Sequence, residues 1–252
     1  MKKFILLNLW ILTVFFSFAS NCYALSILGS DQRYLDYGYG NSNWSNMTNV
    51  LNSATNNNFS LVHAFDDLNL MLTYDALWVD LRESSNLLTA TEVDNIKDFI
   101  NTGRRVVIIG ENSYWQDWNQ QILSIVGGTF TNSDYDGNTT SIVSNELTSG
   151  VSTVYVPYGG LALGGISLFD KNFATIWGTN KNVLTILDVN IFSDRFWNQA
   201  QNSGFAENVA SWIARSNSST PQSSVPEPTS IVMLLFALGL LIISYKRSKS
   251  AV

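Results

Sequence analysis

Residues 89–110 read TATEVDNIKDFINTGRRVVIIG, and this stretch decides the fold class. Thr89 followed three residues later by Glu92 is a capping-box start, in which each side chain serves the other residue's backbone N–H. Val93, Ile96, Phe99 and Ile100 recur at helical spacing and trace one apolar face. Gly103 supplies the stop. Arg104 and Arg105 then lead into Val106-Val107-Ile108-Ile109-Gly110, a continuous apolar run of the kind that a parallel sheet buries on both faces.

The same alternation extends outward in both directions. Upstream, 26–28 is a short strand running into Gly29-Ser30-Asp31, 44–54 has helical spacing, and 59–64 and 76–79 read as strands. Downstream, 115–126 is an amphipathic helix ended by Gly127-Gly128, and the chain becomes strand-like and irregular through Gly165. Residues 173–177 and 183–187 form a hairpin across Gly178–Asn182, and 205–214 is a final helix with Phe205, Val209, Trp212 and Ile213 inward. Strand–helix–strand order with continuous apolar strands predicts an α/β three-layer sandwich on a mostly parallel sheet.

Both ends carry export signals. Lys2 and Lys3, the apolar run 4–18 and Cys22-Tyr23-Ala24 make a secretory signal peptide over 1–24, cleaved after Ala24. Cys22 could instead suggest a lipoprotein signal, but Asn21 stands where such signals want a small residue. Cleavage at Ala24 removes the only cysteine, so the mature chain forms no disulfide. Residues 216–224 are a Ser/Thr/Pro/Gln linker with no reason to fold.

Val225-Pro226-Glu227-Pro228 then leads into an apolar run from 231, followed by Lys246, Arg247 and Lys249. A segment over 231–245 gives about 20–23 Å of helix, short of the ~30 Å hydrocarbon core, so it is a marginal transmembrane helix. The basic residues after it place the C-terminus on the cytoplasmic side. An ordinary membrane anchor would read the same way. The layout over 225–252 resembles the PEP-CTERM sorting signal of Gram-negative bacteria. That resemblance implies recognition at Pro226, Glu227 and Pro228 by an exosortase, transient residence in the inner membrane, removal of the tail, and delivery to the cell surface or extracellular matrix.

The intervening body, 25–215, suits one domain. It holds nine of the 14 basic and 19 of the 20 acidic residues, a formal charge of −10. Such a surface repels nucleic acid and anionic lipid. Its strand order resembles class I glutamine-amidotransferase-like (flavodoxin-like) domains, through 76–80, the following helix, 106–110 and the late 173–213 stretch. In active members the strand equivalent to 106–109 runs into a nucleophilic cysteine, with a histidine late in the chain. Here the turn reads Gly110-Glu111-Asn112-Ser113, and the one histidine, His63, lies early, where it reads as half-buried at a strand end. A Cys–His pair is therefore impossible. Ser113 with His63 and an Asp could form a serine triad, but this is not a Gly-x-Ser-x-Gly turn.

Carboxylates remain. Asp80, Glu83, Glu111, Asp188 and Asp194 fall near the C-terminal ends of expected strands, where open α/β sheets gather ligands, although turns favour Asp for their own reasons. Residues 132–138 resemble half a calcium loop, but the twelfth position is Val143, and an Asp-Gly-Asn turn between two strands explains the same residues. No metal or cofactor is expected. Trp115, Trp118 and Trp197 follow strand ends beside amides and acids, and such aromatics can stack on sugar rings; equally, Trp115 and Trp118 open a helix with one facing the sheet. The candidate ligand-binding set is Trp115, Trp118, Trp197, Glu111, Asp188 and Asp194. The resulting expectation is an exported, non-catalytic binding or structural protein of the surface or exopolysaccharide matrix, with exosortase, secretion machinery and extracellular polysaccharide as partners. The alternative is a carboxylate-dependent glycan-processing hydrolase.

Overall fold

The computed structural model describes residues 25–34 and 36–215. The expected signal peptide, linker, sorting signal and membrane segment lie outside the described residues. Among those described, no helix is long and apolar enough to cross a membrane.

Strands β1 (Ile27–Ser30), β2 (Phe59–Val62), β3 (Ala76–Val79), β4 (Arg105–Ile109), β7 (Ile166–Ser167), β8 (Ala174–Trp177) and β9 (Val183–Ile186) form one sheet in the order β2-β1-β3-β4-β9-β8-β7. The first five neighbours run parallel, and β8 and β7 are antiparallel additions. The 2-1-3-4 order is that of a doubly wound α/β sheet, with β9 in the fifth place. Strands β1, β3, β8 and β9 are buried at every position, which explains their unbroken apolar reading. The expected hairpin is β8–β9.

Helices α1 (Ser45–Thr55), α2 (Leu68–Met71), α3 (Ala90–Asn101), α4 (Gln116–Ile125) and α5 (Asn202–Ile213) connect and cover these strands. The capping box of α3 is complete, with Thr89 Oγ1 accepting from Glu92 N and Glu92 Oε2 accepting from Thr89 N. Thr89→Ala is expected to lower stability by about 1 kcal/mol, read as a shift in urea midpoint at unchanged slope. Glu92 does more than cap. Its oxygens also accept from Phe65 N and from Arg82, at 3.1 and 2.5 Å, and Arg82 is only 1% exposed. This buried pair fixes the segment after β3 to α3. Helix α5 starts at Asn202, earlier than its apolar pattern predicts. The buried Asn202 side chain accepts from Tyr155 N and donates to Tyr155 O and Phe196 O, a tertiary anchor with no local signature.

The Asp-Gly-Asn turn is overturned. Asp136, Gly137 and Asn138 lie inside β5 (Thr129–Thr140), which pairs antiparallel with β6 (Thr153–Leu163) as a separate two-stranded ribbon. Two register shifts interrupt the pairing, and Asn132 and Gly137 have φ of 56° and 141°. Such bulges place turn-type residues within a strand. The chain actually reverses between Thr140 and Thr153. The ribbon lies against the ends of β4 and β9: Gly160 N donates to Leu187 O at 2.7 Å, and a Cβ on Gly160 would sit 2.6 Å from Glu111 O.

Candidate functional site

Asp80, Glu111 and Asp188 follow β3, β4 and β9 directly, so the parallel sheet delivers all three to its C-terminal edge. All three are buried. Glu111 is fixed from both sides: Oε1 accepts from the amides of Asn112 and Asn190, each at 2.9 Å, and Oε2 accepts from Val189 N at 2.9 Å. The turn carrying it is clamped by buried Asn119, whose Oδ1 accepts from Glu111 N and whose Nδ2 donates to Glu111 O and Asn112 O.

Asp188 caps the 3-10 turn Val189–Phe192 through Oδ1, which accepts from Asn190 N at 2.9 Å. Asn190 thus links the two acids, bonding Glu111 through its side chain and Asp188 through its backbone. Asp188 Oδ2 is buried with no hydrogen-bond partner among the described residues. Burial pushes the Glu111 carboxyl up to about 8. Burial and then the Glu111 charge hold Asp188 well above the usual carboxylate range. Two like charges in a dry site favour keeping a proton. Asp80 is pushed up to about 6 by burial, with bonds from Trp78 Nε1 and Tyr39 N and the charge of Arg33 opposing.

The other expected site residues separate. Asp194 is taken up by a helix start: Oδ1 accepts from Asn46 N at 2.9 Å and Oδ2 from Ser45 Oγ, so it caps α1. Trp118 cannot stack on a ligand, because it is fully buried with Nε1 donating to Ile109 O. Trp115 is half-buried, donates to Arg82 O and meets the Tyr34 ring edge-on. Trp197 is half-buried against the core. Ser113 bonds Asp134 through Oγ and N, and His63, far from it in the sheet order, pairs with Asp31. The His63 side chain is 80% exposed rather than half-buried, because β2 is an edge strand.

Sequence reasoning missed the segment after β1, of which 31–34 and 36–41 are described. It closes the crevice between β1 and β3, where the strand order switches: Tyr34 N donates to Leu81 O and Tyr39 N to Asp80. The signal available was three tyrosines punctuated by Gly38 and Gly40 directly after a strand.

Residues 224–248 match the PEP-CTERM protein-sorting motif. The tail is a PEP-CTERM sorting motif. It implies that this chain is exported and handed to an exosortase. No curated protein matches the chain. Among solved structures, the N-terminal domain of mmIFT52 is similar at 12% identity and a TM-score of 0.62, covering 76% of this chain and 98% of that one. A protein described as a GMP synthase component from Thermoplasma acidophilum is similar at 11% identity and a TM-score of 0.49, covering 76% and 94%. A ThuA-like protein from Parabacteroides merdae gives 11% and 0.42, covering 79% and 93%. The mmIFT52 likeness concerns the fold alone.

Proposed function

We propose that this PEP-CTERM protein is a non-catalytic binding or structural component of the cell surface or exopolysaccharide matrix. The observation that carries the reading is the sorting motif at 224–248. The body supports it by what its acids do. Glu111 and Asp188 are buried and engaged in holding the exits of β4 and β9, and the ribbon glycines lie over them. A glycosidase needs one carboxyl at the leaving oxygen and another at the anomeric carbon, both open to a sugar. The chain is secreted through its signal peptide 1–24 and is anchored transiently by 231–245. The three-layer arrangement, with 25–215 as one domain and 216–224 as a spacer, belongs to the same reading.

Replacing Glu227 with Ala tests the route. Fractionation and immunoblotting of producing cells are expected to show the variant retained in the inner membrane at precursor size, with at least a tenfold drop in the mature form (about 1.4 kcal/mol if recognition is at equilibrium). Normal maturation of the variant would remove Pro226-Glu227-Pro228 as the recognition element.

A further inference from the structure

A cavity of about 230 Å³ lies at the N-terminal edge of the sheet, where β4 and β9 begin, at the end opposite Asp80, Glu111 and Asp188. Leu147, Ile166, Ile176 and the Trp212 ring give it apolar walls, and Arg105, Glu146 and Lys181 line it beside them. Arg105 donates to Glu146 Oε1 at 3.0 Å and to Trp212 O near the end of α5, with its guanidinium 4.8 Å from the Trp212 ring centre. Arg215 donates to Glu146 Oε2 at 3.0 Å, so one carboxylate serves two guanidinium groups. Lys181 is exposed, and its ammonium has no hydrogen bond or ion pair among the described residues. On a strongly acidic body, three basic residues thus gather around one acid at this hollow.

Capping of α5 accounts for Arg105 and Glu146. It does not account for Lys181, which is held at φ 51°, in the left-handed region that a glycine or asparagine occupies with less strain. The turn that carries it is fixed by buried Asn182, whose Nδ2 donates to Ile100 O and Arg104 O at 3.0 and 2.9 Å. The facing wall is braced as well: Asn145 Oδ1 accepts from Leu147 N, and Asn208 Nδ2 donates to Leu147 O. The cavity is therefore formed before anything enters it. Burial lowers the Arg105 guanidinium from its ordinary value, Glu146 opposes this and Arg215 adds to it. A further negative charge beside Arg105 would relieve that pressure.

We propose that this cavity binds a small organic monocarboxylate with an apolar body, its acid group drawn to Lys181 and Arg105 and its body laid against Trp212 and Ile176. An apolar cavity of about 150 Å³ holds a benzene, so this one has room for a ring and one acid group. The apolar walls distinguish such a ligand from a sugar acid, whose hydroxyls they would leave unpaired.

The test is calorimetric titration of the full-length chain, in detergent at low salt, with phenylacetate, its neutral isostere phenylacetamide, and galacturonate. Saturable binding of phenylacetate is expected, at least about threefold tighter than either of the others. Lys181→Gly removes the ammonium and the left-handed strain together, so it should weaken phenylacetate at least about threefold without lowering the melting temperature. Lys181→Gln, which keeps the stem, should weaken it equally, and Lys181→Arg should retain it. No binding of phenylacetate, equal binding of phenylacetamide, preference for galacturonate, or wild-type affinity in Lys181→Gly and Lys181→Gln would overturn the site.

Discussion

Asp188→Asn is expected to stabilise the protein by about 1–3 kcal/mol at pH 8 and to leave it unchanged near pH 3.5. The asparagine keeps Oδ1 for Asn190 N, so the cap of Val189–Phe192 survives. It removes a like charge beside Glu111, which is the source of the gain. The sign follows from linkage. Folding raises both carboxyls, so the folded state binds more protons than the unfolded chain wherever only the unfolded chain is ionised. Their contribution to stability is complete below the ordinary carboxylate range and is lost as pH rises through the folded value, which for Glu111 is about 8. Urea melts across pH 3.5–9 read this as a gap between variant and wild type that opens with pH. A gap that stays constant, or that closes toward alkaline pH, would show that Asp188 is not held protonated. Glu111→Gln is a poorer probe, because its new amide can face Val189 N–H donor to donor.

Arg82→Ala should destabilise by about 3–5 kcal/mol, the largest loss expected from any single charged residue here. Arg82 and Glu92 are both buried, and Glu92 accepts bonds that tie the α3 N-terminus, Phe65 and the β3 exit together. Removing the guanidinium strands the carboxylate. Arg82→Ala paired with Glu92→Gln should recover part of the loss. Thermal unfolding decides it: a double variant no more stable than the single would show that the arginine acts through packing of its stem. Glu92, unlike Glu111, is held below its ordinary value, against burial, by the Arg82 bonds. Its contribution is therefore present above the ordinary carboxylate range and fades as pH falls.

The parallel sheet was legible because its strands are buried on both faces and must read as unbroken apolar runs, as 76–79 and 106–109 do. Thr89 and Glu92 mark a helix start that depends on no distant residue. The ribbon was not legible. Its alternation is broken by bulges at Phe130/Asp134 and Tyr135/Gly137, and these turn-type residues imitate a hairpin loop. The rim was half legible: strand ends place Asp80, Glu111 and Asp188 correctly, since position along a parallel strand fixes the edge at which a residue emerges. The burial of Glu111 and Asp188 was invisible, because it comes from Gly159 and Gly160 of a strand distant in sequence from β4. Asp194 failed for a related reason. Nothing local reveals that Asp194 caps α1, whereas Trp118 follows the other reading of its helix, with one tryptophan facing the sheet beneath β4.

Intact mass of the protein recovered from the cell surface or culture fluid of the producing organism tests the account most directly. A chain that begins at Leu25 and ends upstream of Ile231 is predicted, since the sorting motif implies export and handover to an exosortase. Recovery only inside the cell, with both termini intact and no membrane-bound precursor, would contradict it.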